Sequence, residues 1–235
     1  MSADRLIPAA PFTAELDLRP VSRWPTTLAD ATLNAVEAWP AGIAPSPSID
    51  GAGCDDEPSV SIIVLTHNGL PFTKLCLESI VANTDYRNYE IVLVDNASTD
   101  DTPIYLRQFA SRHRNVRLAL NDRNLGFAAG NNRGLSVATG DVLVLLNNDT
   151  IVAPRWLAPL VDRLRDSSVG AVGPVTNRIG NEAQVASDYR TYGEFLEFAA
   201  RHKDSHRAEQ FEIPMLVMFC FAMRRDVFKR IGFLD

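Results

Sequence analysis

Short apolar runs alternate with longer amphipathic stretches along most of the chain, and polar loops separate the two kinds of segment. The apolar runs lack charged residues and helix breakers, which is typical of strands buried on both faces of a parallel sheet. The amphipathic stretches repeat at helical spacing. This alternation predicts an α/β domain with a doubly wound, mostly parallel sheet and helices on both faces.

The same pattern gives approximate bounds for each element of the domain. Pro71 lies at a plausible first position of the first helix of the domain. A stretch rich in Asn and Gly, residues 176–187, is predicted to be a loop. The predicted strands are residues 60–65, 89–94, 116–120, 142–146, 169–175 and 215–223. The predicted helices are residues 71–83, 102–112, 127–139, 154–165, 192–202 and 225–231.

The first 57 residues differ from the rest because prolines recur throughout them. One helix is predicted within this segment, at residues 26–38, and a linker rich in Ser, Gly and Asp at residues 45–57. We therefore predict an irregular, Pro-rich N-terminal extension and linker at residues 1–57, and a main domain at residues 58–235.

Composition narrows the class of protein. A hydrophobic fraction of 46% and a net charge of -6 are ordinary for a soluble globular chain, and no concentrated basic face suggests a nucleic-acid partner. The cysteines Cys54, Cys76 and Cys220 have neither zinc-ligand nor disulfide spacing, which predicts a reducing, cytoplasmic compartment. No signal peptide and no membrane-spanning run is visible.

Polar residues follow three of the predicted strands at the point where each strand ends. The carboxyl ends of parallel strands meet at one edge of a sheet, which is where ligands bind in open α/β folds. We therefore expect these polar residues to line one cleft. They are Thr66, His67, Asn68, Asp95, Asn96, Asn147, Asn148 and Asp149.

The loop after the first strand of the domain excludes two common phosphate-binding sites. It contains one glycine, Gly69, and matches neither a dinucleotide-binding fingerprint nor a P-loop. A nucleotide would therefore have to be recognised by side chains. Asp95 could accept hydrogen bonds from a base or from ribose hydroxyls. The alternative for Asp95 is to cap the next helix, although Ser98, Thr99 or Asp100 could serve there equally well.

Two further features have more than one interpretation. Gly126, Gly130 and Gly134 lie four residues apart and would form a smooth helical stripe, either for close approach of a ligand or for tight packing on the sheet. His67 could line the pocket or make an ordinary polar contact. Asp149 is the candidate ligand for Mg²⁺ or Mn²⁺, because a cation held by a diphosphate needs few protein ligands.

Four motifs occur in an order and spacing that resemble a known family. They are VSIIVLTHN at residues 60–68, EIVLVDNASTDD at 90–101, NLGFAAGNNRG at 124–134 and GDVLVLLNND at 140–149. With these motifs the chain resembles the inverting glycosyltransferases of family 2, which have the GT-A fold. The resemblance covers the chain from about residue 60 onward and leaves the first segment unexplained.

The resemblance implies a nucleoside-diphosphate sugar, UDP- or dTDP-linked, as donor, a glycan or lipid-linked acceptor, and Mg²⁺ or Mn²⁺ as cofactor. By position, Thr66 and Asn68 would line the nucleotide pocket and Asp95 would contact the base. Asn147 replaces the first aspartate of the family's Asp-x-Asp motif, which implies a weaker cation site around Asp149. The residues that would close over the nucleoside are Asn124, Gly126 and Asn131.

The family's general base follows a stretch of which only the first part, residues 231–235, is present. We therefore expect the base beyond Asp235, and the chain to be a fragment of a longer protein. The third motif resembles members that build bacterial surface polysaccharides, including rhamnosyltransferases. This predicts a cytoplasmic protein, peripheral on the inner face of the membrane.

Two other functional classes stay open at this point. A non-catalytic nucleotide-sugar-binding module would use the same cleft without turnover. A sugar-nucleotide nucleotidyltransferase would also use a doubly wound sheet, but it would need a loop rich in Gly, Lys and Arg after the first strand. The sequence from His67 to Leu70 does not supply such a loop.

Overall fold

The computed structural model describes residues 12–23, 26–41, 57–207 and 209–235. Eight strands and seven helices lie in these ranges. The strands are β1 (Pro20–Arg23), β2 (Thr26–Leu28), β3 (Val60–Thr66), β4 (Tyr89–Asp95), β5 (Val116–Leu120), β6 (Val142–Asn147), β7 (Ala171–Val172) and β8 (Cys220–Arg224). The helices are α1 (Asp30–Glu37), α2 (Leu70–Asn83), α3 (Thr102–Arg112), α4 (Gly126–Val137), α5 (Leu157–Leu164), α6 (Tyr192–Ser205) and α7 (Arg225–Ile231).

A six-stranded sheet with the order β5-β4-β3-β6-β8-β7 organises the domain. Strands β5, β4, β3 and β6 run parallel, while β8 is antiparallel to both of its neighbours. The chain moves outward from β3 to β5 and then crosses through α4 to β6 on the other side of β3. The order of strands therefore reverses between β3 and β6, and such a switch point opens a crevice at the carboxyl ends of the strands.

Alternate residues of the central strands supply two cores, one on each face of the sheet. Ile62 and Val64 pack with apolar residues of α2, α3 and α5 on one face. Ile63 packs with Leu135 of α4 on the other face. Because both faces are covered, the strands read as nearly continuous apolar runs in the sequence.

The predicted doubly wound, mostly parallel sheet with helices on both faces is confirmed. The four parallel strands are found within one residue of their predicted bounds. Three of them continue one residue further than predicted, into Thr66, Asp95 and Asn147. These polar residues still pair in the sheet because the backbone ladder does not depend on the side chain.

Several predicted bounds are wrong at the edges of the sheet. The helix predicted at residues 154–165 begins only at Leu157, because Arg155 has a φ of 60° that is incompatible with a helix. The strand predicted at residues 169–175 is limited to Ala171–Val172. The strand predicted at residues 215–223 is Cys220–Arg224, and Met215 is 66% exposed rather than buried.

The N-terminal residues that the structure describes pack onto the main domain. The helix predicted at residues 26–38 is shorter, since Thr26–Leu28 pairs with β1 in a hairpin and α1 begins at Asp30. Phe12 stacks on Tyr192 with ring centroids 4.3 Å apart, and Val36 of α1 joins Leu75 of α2 in the same apolar cluster. The predicted linker lies almost wholly outside the described residues, so the division after residue 57 stays a prediction.

None of the helices in the described ranges combines the length and apolar character needed to cross a bilayer.

Candidate functional site

Thr66 and Asp95 lie side by side where β3 and β4 end, next to the switch point between β3 and β6. They are register partners, and both are almost completely buried. The Thr66 hydroxyl donates to Asp95 Oδ1 at 3.3 Å, and Asp95 Oδ2 accepts from the Ser98 backbone N–H at 3.1 Å. A carboxylate offers about four acceptor positions, so these two bonds orient Asp95 and leave capacity for donors in the cleft. Its predicted contact with a base stays a prediction.

The turn after β4 shows which acidic residue supports the following helix. Asp100, not Asp95, accepts from the backbone N–H of Thr102, the first residue of α3, at 3.0 Å. Asp100 also accepts from the N–H of Leu70 at 3.3 Å, which ties this turn to the start of α2. Partial burial raises the pKa of Asp100, but the hydrogen bonds from Thr102 and Leu70 outweigh it and lower the pKa overall. Asp100 thus supports the first turn of α3, although the N-cap residue itself, Asp101, makes no side-chain cap hydrogen bond.

Asn68 locks the loop after β3 to the loop after β4. Its φ of 58° is in the left-handed region that Asn tolerates, and its Oδ1 accepts from the Thr99 backbone N–H at 2.7 Å. Its own backbone N–H donates to the Ser98 hydroxyl at 2.7 Å. The Asn68 amide oxygen is therefore occupied by the protein, whereas its Nδ2 has no hydrogen-bond partner among the described residues.

His67 is an exposed residue of this loop. Its Nδ1 lies 2.9 Å from the backbone carbonyl of Asn96. A carbonyl can only accept, so Nδ1 is the donor in this bond. The other ring nitrogen, Nε2, has no hydrogen-bond partner among the described residues.

Asn96 is buried and connects the β4 loop to the loop before α4. Its Nδ2 donates to Asn124 Oδ1 at 2.7 Å and to the Gly126 carbonyl at 3.1 Å. Its Oδ1 accepts from the Leu125 backbone N–H at 2.9 Å and from Asn121 Nδ2 at 3.1 Å. Asn96 was predicted as a binding residue, but every one of these bonds is made within the protein. Its amide is thus a structural support of the pocket.

The start of α4 forms the side of the cleft next to β4. Gly126 has a φ of 80°, which few other residues adopt, and an added Cβ there would meet open space. Asn131 is buried and its Nδ2 donates to the Phe127 carbonyl one turn earlier. The structure thus places Asn131 inside the helix packing, while Gly126 lies on the open side.

Tight packing explains the other glycines of the stripe. A Cβ on Gly134 would lie 2.4 Å from Ile63 Cγ2, and a Cβ on Gly130 would lie 2.6 Å from Leu65 Cδ1. Both distances are far below van der Waals contact, so α4 approaches the sheet more closely than alanine would allow. The packing interpretation of Gly134 is therefore the right one.

The loop after β6 presents the candidate metal ligand. Asn147 is half-buried beside Leu65, its register partner on β3, and Asn148 Nδ2 donates to the Thr73 hydroxyl at 2.9 Å. Asp149 is exposed, and its carboxylate has no hydrogen-bond or ion-pair partner among the described residues. In the described part of the chain no group of three or more His, Cys, Asp or Glu could hold a metal. A cation at Asp149 would therefore take most ligands from phosphate and water.

Hydrogen bonds thus link most of the predicted site residues around the loops that follow β3 and β4. The residues linked by hydrogen bonds around the β3 and β4 loops are Thr66, His67, Asn68, Asp95, Asn96, Asn124 and Gly126. Asn147, Asn148 and Asp149 lie across the switch point. Sequence reasoning missed Asn121 and Thr73; a polar residue in an otherwise buried helix is the signal that could have revealed Thr73.

Comparison with known proteins gives the site its context. Glycosyl transferase family 2 matches residues 61–232. The chain is 30% identical over 117 residues to glycosyltransferase AglE of Haloferax volcanii, covering 49% of this chain and 38% of AglE. It is 36% identical over 117 residues to O-antigen biosynthesis protein RfbC of Myxococcus xanthus, covering 49% of this chain and 9% of RfbC.

A solved structure resembles most of the fold. The mannosyltransferase PcManGT from Pyrobaculum calidifontis, in complex with GDP-Man and Mn²⁺, superposes with a TM-score of 0.58 and 27% identity. The match covers 87% of this chain and 53% of PcManGT. The predicted GT-A fold is thereby confirmed. The chain spans about half or less of the length of each of these three proteins.

Proposed function

The chain belongs to glycosyl transferase family 2, and on that premise we propose that it forms the donor-binding portion of an inverting glycosyltransferase. The enzyme would transfer a sugar from a nucleoside-diphosphate sugar to an acceptor hydroxyl. The observation that carries this proposal is that Thr66, Asp95 and Asn147 end three adjacent parallel strands, with the unpaired carboxylate of Asp149 two residues after Asn147.

The nucleoside would lie between the β3 loop and the start of α4. Asp95 would accept hydrogen bonds from the base or ribose with the oxygen positions that Thr66 and Ser98 leave available. His67 would contribute its Nε2 nitrogen, and the open backbone at Gly126 would admit close approach of the nucleoside. The roles of Asp95 and Gly126 are those that the resemblance to the family implies for these positions.

Asp149 would hold the divalent cation, Mg²⁺ or Mn²⁺, between the protein and the diphosphate. An exposed carboxylate without an internal partner fits a hard cation that also binds phosphate oxygens and water. The cation would neutralise the charge that develops on the departing diphosphate. Asn147 and Asn148 provide amides rather than carboxylates, so the metal affinity of the protein without nucleotide would be low. The Mn²⁺ in PcManGT supports this assignment.

We assign the donor to the UDP- or dTDP-sugars and the acceptor to a glycan or a lipid-linked glycan. The relatives AglE and RfbC, the second of which is named for O-antigen biosynthesis, support a role in polysaccharide or glycan assembly. Such work would be done in the cytoplasm, with the protein peripheral on the inner face of the membrane. We assign the general base to no residue of this chain.

Titration calorimetry with UDP, dTDP and GDP, each with and without Mn²⁺, tests the proposal. We expect one nucleotide to bind, and to bind more tightly with Mn²⁺. Asp149→Ala should remove the gain from Mn²⁺, whereas Asp204→Ala, at an exposed carboxylate on α6, should keep it. If none of the nucleotides binds the wild-type chain, the donor-site assignment fails.

Turnover of a panel of nucleotide sugars separates the enzyme from the non-catalytic binding module. Release of the nucleoside diphosphate in the presence of a glycan acceptor supports the enzyme. Tight binding without release would show that this chain binds the donor without catalysis, as expected for a donor-binding portion to which we assign no general base. A reaction that needs a nucleoside triphosphate and a sugar phosphate would instead favour the nucleotidyltransferase.

A further inference from the structure

Helix α2 carries a polar stripe although it is almost completely enclosed by the protein. Thr73, Cys76 and Ser79 are spaced three residues apart and are each 0% exposed, and Asn83 continues the stripe one turn later. Apolar residues would be the ordinary choice on a helix face buried in the core. Buried polar groups are normally paired, so the partners of this stripe indicate its purpose.

The first half of the stripe contacts the residues just before Asp149. The Thr73 hydroxyl accepts from Asn148 Nδ2 at 2.9 Å, and the Cys76 thiol donates to the Asn147 carbonyl at 3.5 Å. Burial raises the pKa of the Cys76 thiol, and the negative charge of Asp149 raises it further. The thiol therefore stays protonated and can donate this bond.

The second half of the stripe contacts the residue at which the same loop ends. The Ser79 hydroxyl accepts from the Val152 backbone N–H at 3.1 Å and donates to the Cys76 carbonyl at 2.8 Å. Asn83 Nδ2 donates to the Val152 carbonyl at 2.8 Å. The loop of residues 147–152 is thus held at both ends by one rigid helix.

Asp149 lies between these two anchors and has no partner of its own among the described residues. The position of its backbone, from which the carboxylate projects, is therefore set by the anchored residues on either side. We infer that Thr73 and Ser79 are positioning residues of the cation site, which hold the loop of residues 147–152 so that Asp149 faces the diphosphate. This inference rests on the proposed function.

Nucleotide titration of the Thr73 variants with and without Mn²⁺ tests the inference. Thr73→Val keeps the shape of the side chain but removes the acceptor for Asn148. We expect it to lower the Mn²⁺-dependent gain in affinity about five-fold, as expected for the loss of one hydrogen bond. Affinity for the metal-free nucleotide should change by less than about two-fold, because the β3 and β4 loops are untouched. Thr73→Ser, which restores the hydroxyl, should restore the gain.

Thr84→Val is the matched control. Thr84 is also a buried threonine at an end of α2, and its hydroxyl accepts from Trp156 Nε1 at 2.9 Å, outside the loop of residues 147–152. It should keep the full gain from Mn²⁺. Ser79→Ala provides a second variant at the other anchor and should reduce the gain as Thr73→Val does.

The possible outcomes separate this inference from the proposed function. A wild-type chain that binds none of the nucleotides overturns both. If the wild type shows a gain from Mn²⁺ and Thr73→Val and Ser79→Ala retain it in full, only the positioning role is overturned. Equal losses with and without Mn²⁺ also overturn it, because they indicate general destabilisation rather than an effect on the cation site.

Discussion

Asn96 Nδ2 donates to Asn124 Oδ1 at 2.7 Å, and this bond joins two loops that lie 28 residues apart in the sequence. The same side chain also bonds the backbone of Leu125 and Gly126. The buried side-chain amide of Asn96 thus holds the loop after β4 against the loop before α4. The side of the cleft formed by α4 is consequently fixed relative to Asp95, the neighbour of Asn96.

Asn96→Ala should lower both the free energy of unfolding and the affinity for nucleotide. The substitution removes four hydrogen bonds, of which the partly exposed ones are replaced by water, so we expect a loss of about 2–4 kcal/mol. Urea denaturation measures the first effect and nucleotide titration the second. Asn88→Ala, at an exposed asparagine that bonds one carbonyl, should change neither. An Asn96→Ala variant as stable as the wild type would contradict this account of the network.

Gly134→Ala should destabilise the protein through overpacking. The new methyl group would lie 2.4 Å from Ile63 Cγ2, and Ile63 is a buried, β-branched residue with little freedom to move. We expect a cost of about 1–3 kcal/mol, measured as a lower urea midpoint. Gly170→Ala introduces the same methyl group where no atom lies within 4 Å, and it should be nearly neutral. Equal effects of the two substitutions would rule out packing as the cause.

The central strands could be predicted from the sequence because they are buried on both faces and therefore read as unbroken apolar runs. Their ends were placed one residue early, because Thr66, Asp95 and Asn147 look like loop residues although their backbones still pair. The hairpin at Thr26–Leu28 was missed because its partner strand lies in a Pro-rich stretch. The start of α5 was misplaced because Arg155 adopts a positive φ, which no sequence pattern indicated.

The residue types of the site were predictable, but their individual tasks were not. The alternation of strands and helices predicts a parallel sheet, and the carboxyl ends of parallel strands meet at one edge. Whether an amide faces the ligand or the protein depends on contacts between distant loops. Asn96 and Asn68 remain predicted binding residues, and the sequence did not indicate that their side-chain oxygens accept bonds within the protein. Those contacts form only in the folded chain.

Glu90→Gln should make stability less sensitive to acid. Partial burial raises the pKa of Glu90, but hydrogen bonds from Ser61 and Thr139 and the charge of Arg117 outweigh it and lower the pKa below its ordinary value of 4.5. A carboxyl whose pKa is lower in the folded state stabilises the protein above its unfolded pKa. That stabilisation is lost as the pH falls through the folded value.

The wild-type protein should therefore exceed Glu90→Gln in stability at pH 7 by about 1–3 kcal/mol, because the variant loses charge-assisted bonds. The difference should shrink as the pH falls below about 4.5. Urea midpoints of both proteins across this range measure it. A difference that stays constant with pH would show that the ionised form of Glu90 is not what stabilises the sheet. Glu197→Gln, at an exposed position on α6, serves as control.

Lys74 joins the N-terminal segment to the main domain. It is a buried residue of α2, and its Nζ donates to the backbone carbonyls of Glu37, the last residue of α1, and Trp39, the latter at 2.7 Å. The ammonium group also lies 5.3 Å from the centre of the Tyr105 ring. A cation at the end of a helix satisfies carbonyls that have no partner within the helix.

Lys74→Met keeps most of the apolar stem but removes the charge, so the carbonyls of Glu37 and Trp39 lose their donor. We expect α1 to separate from α2 more often, while the sheet itself stays intact. Hydrogen exchange should therefore become faster at residues 30–41 and remain nearly unchanged in β3 and β4. Lys203→Met, on the exposed face of α6, should alter neither region. Uniformly faster exchange would instead mean that Lys74 supports the whole domain, and unchanged exchange would mean that α1 is held by its apolar contacts alone.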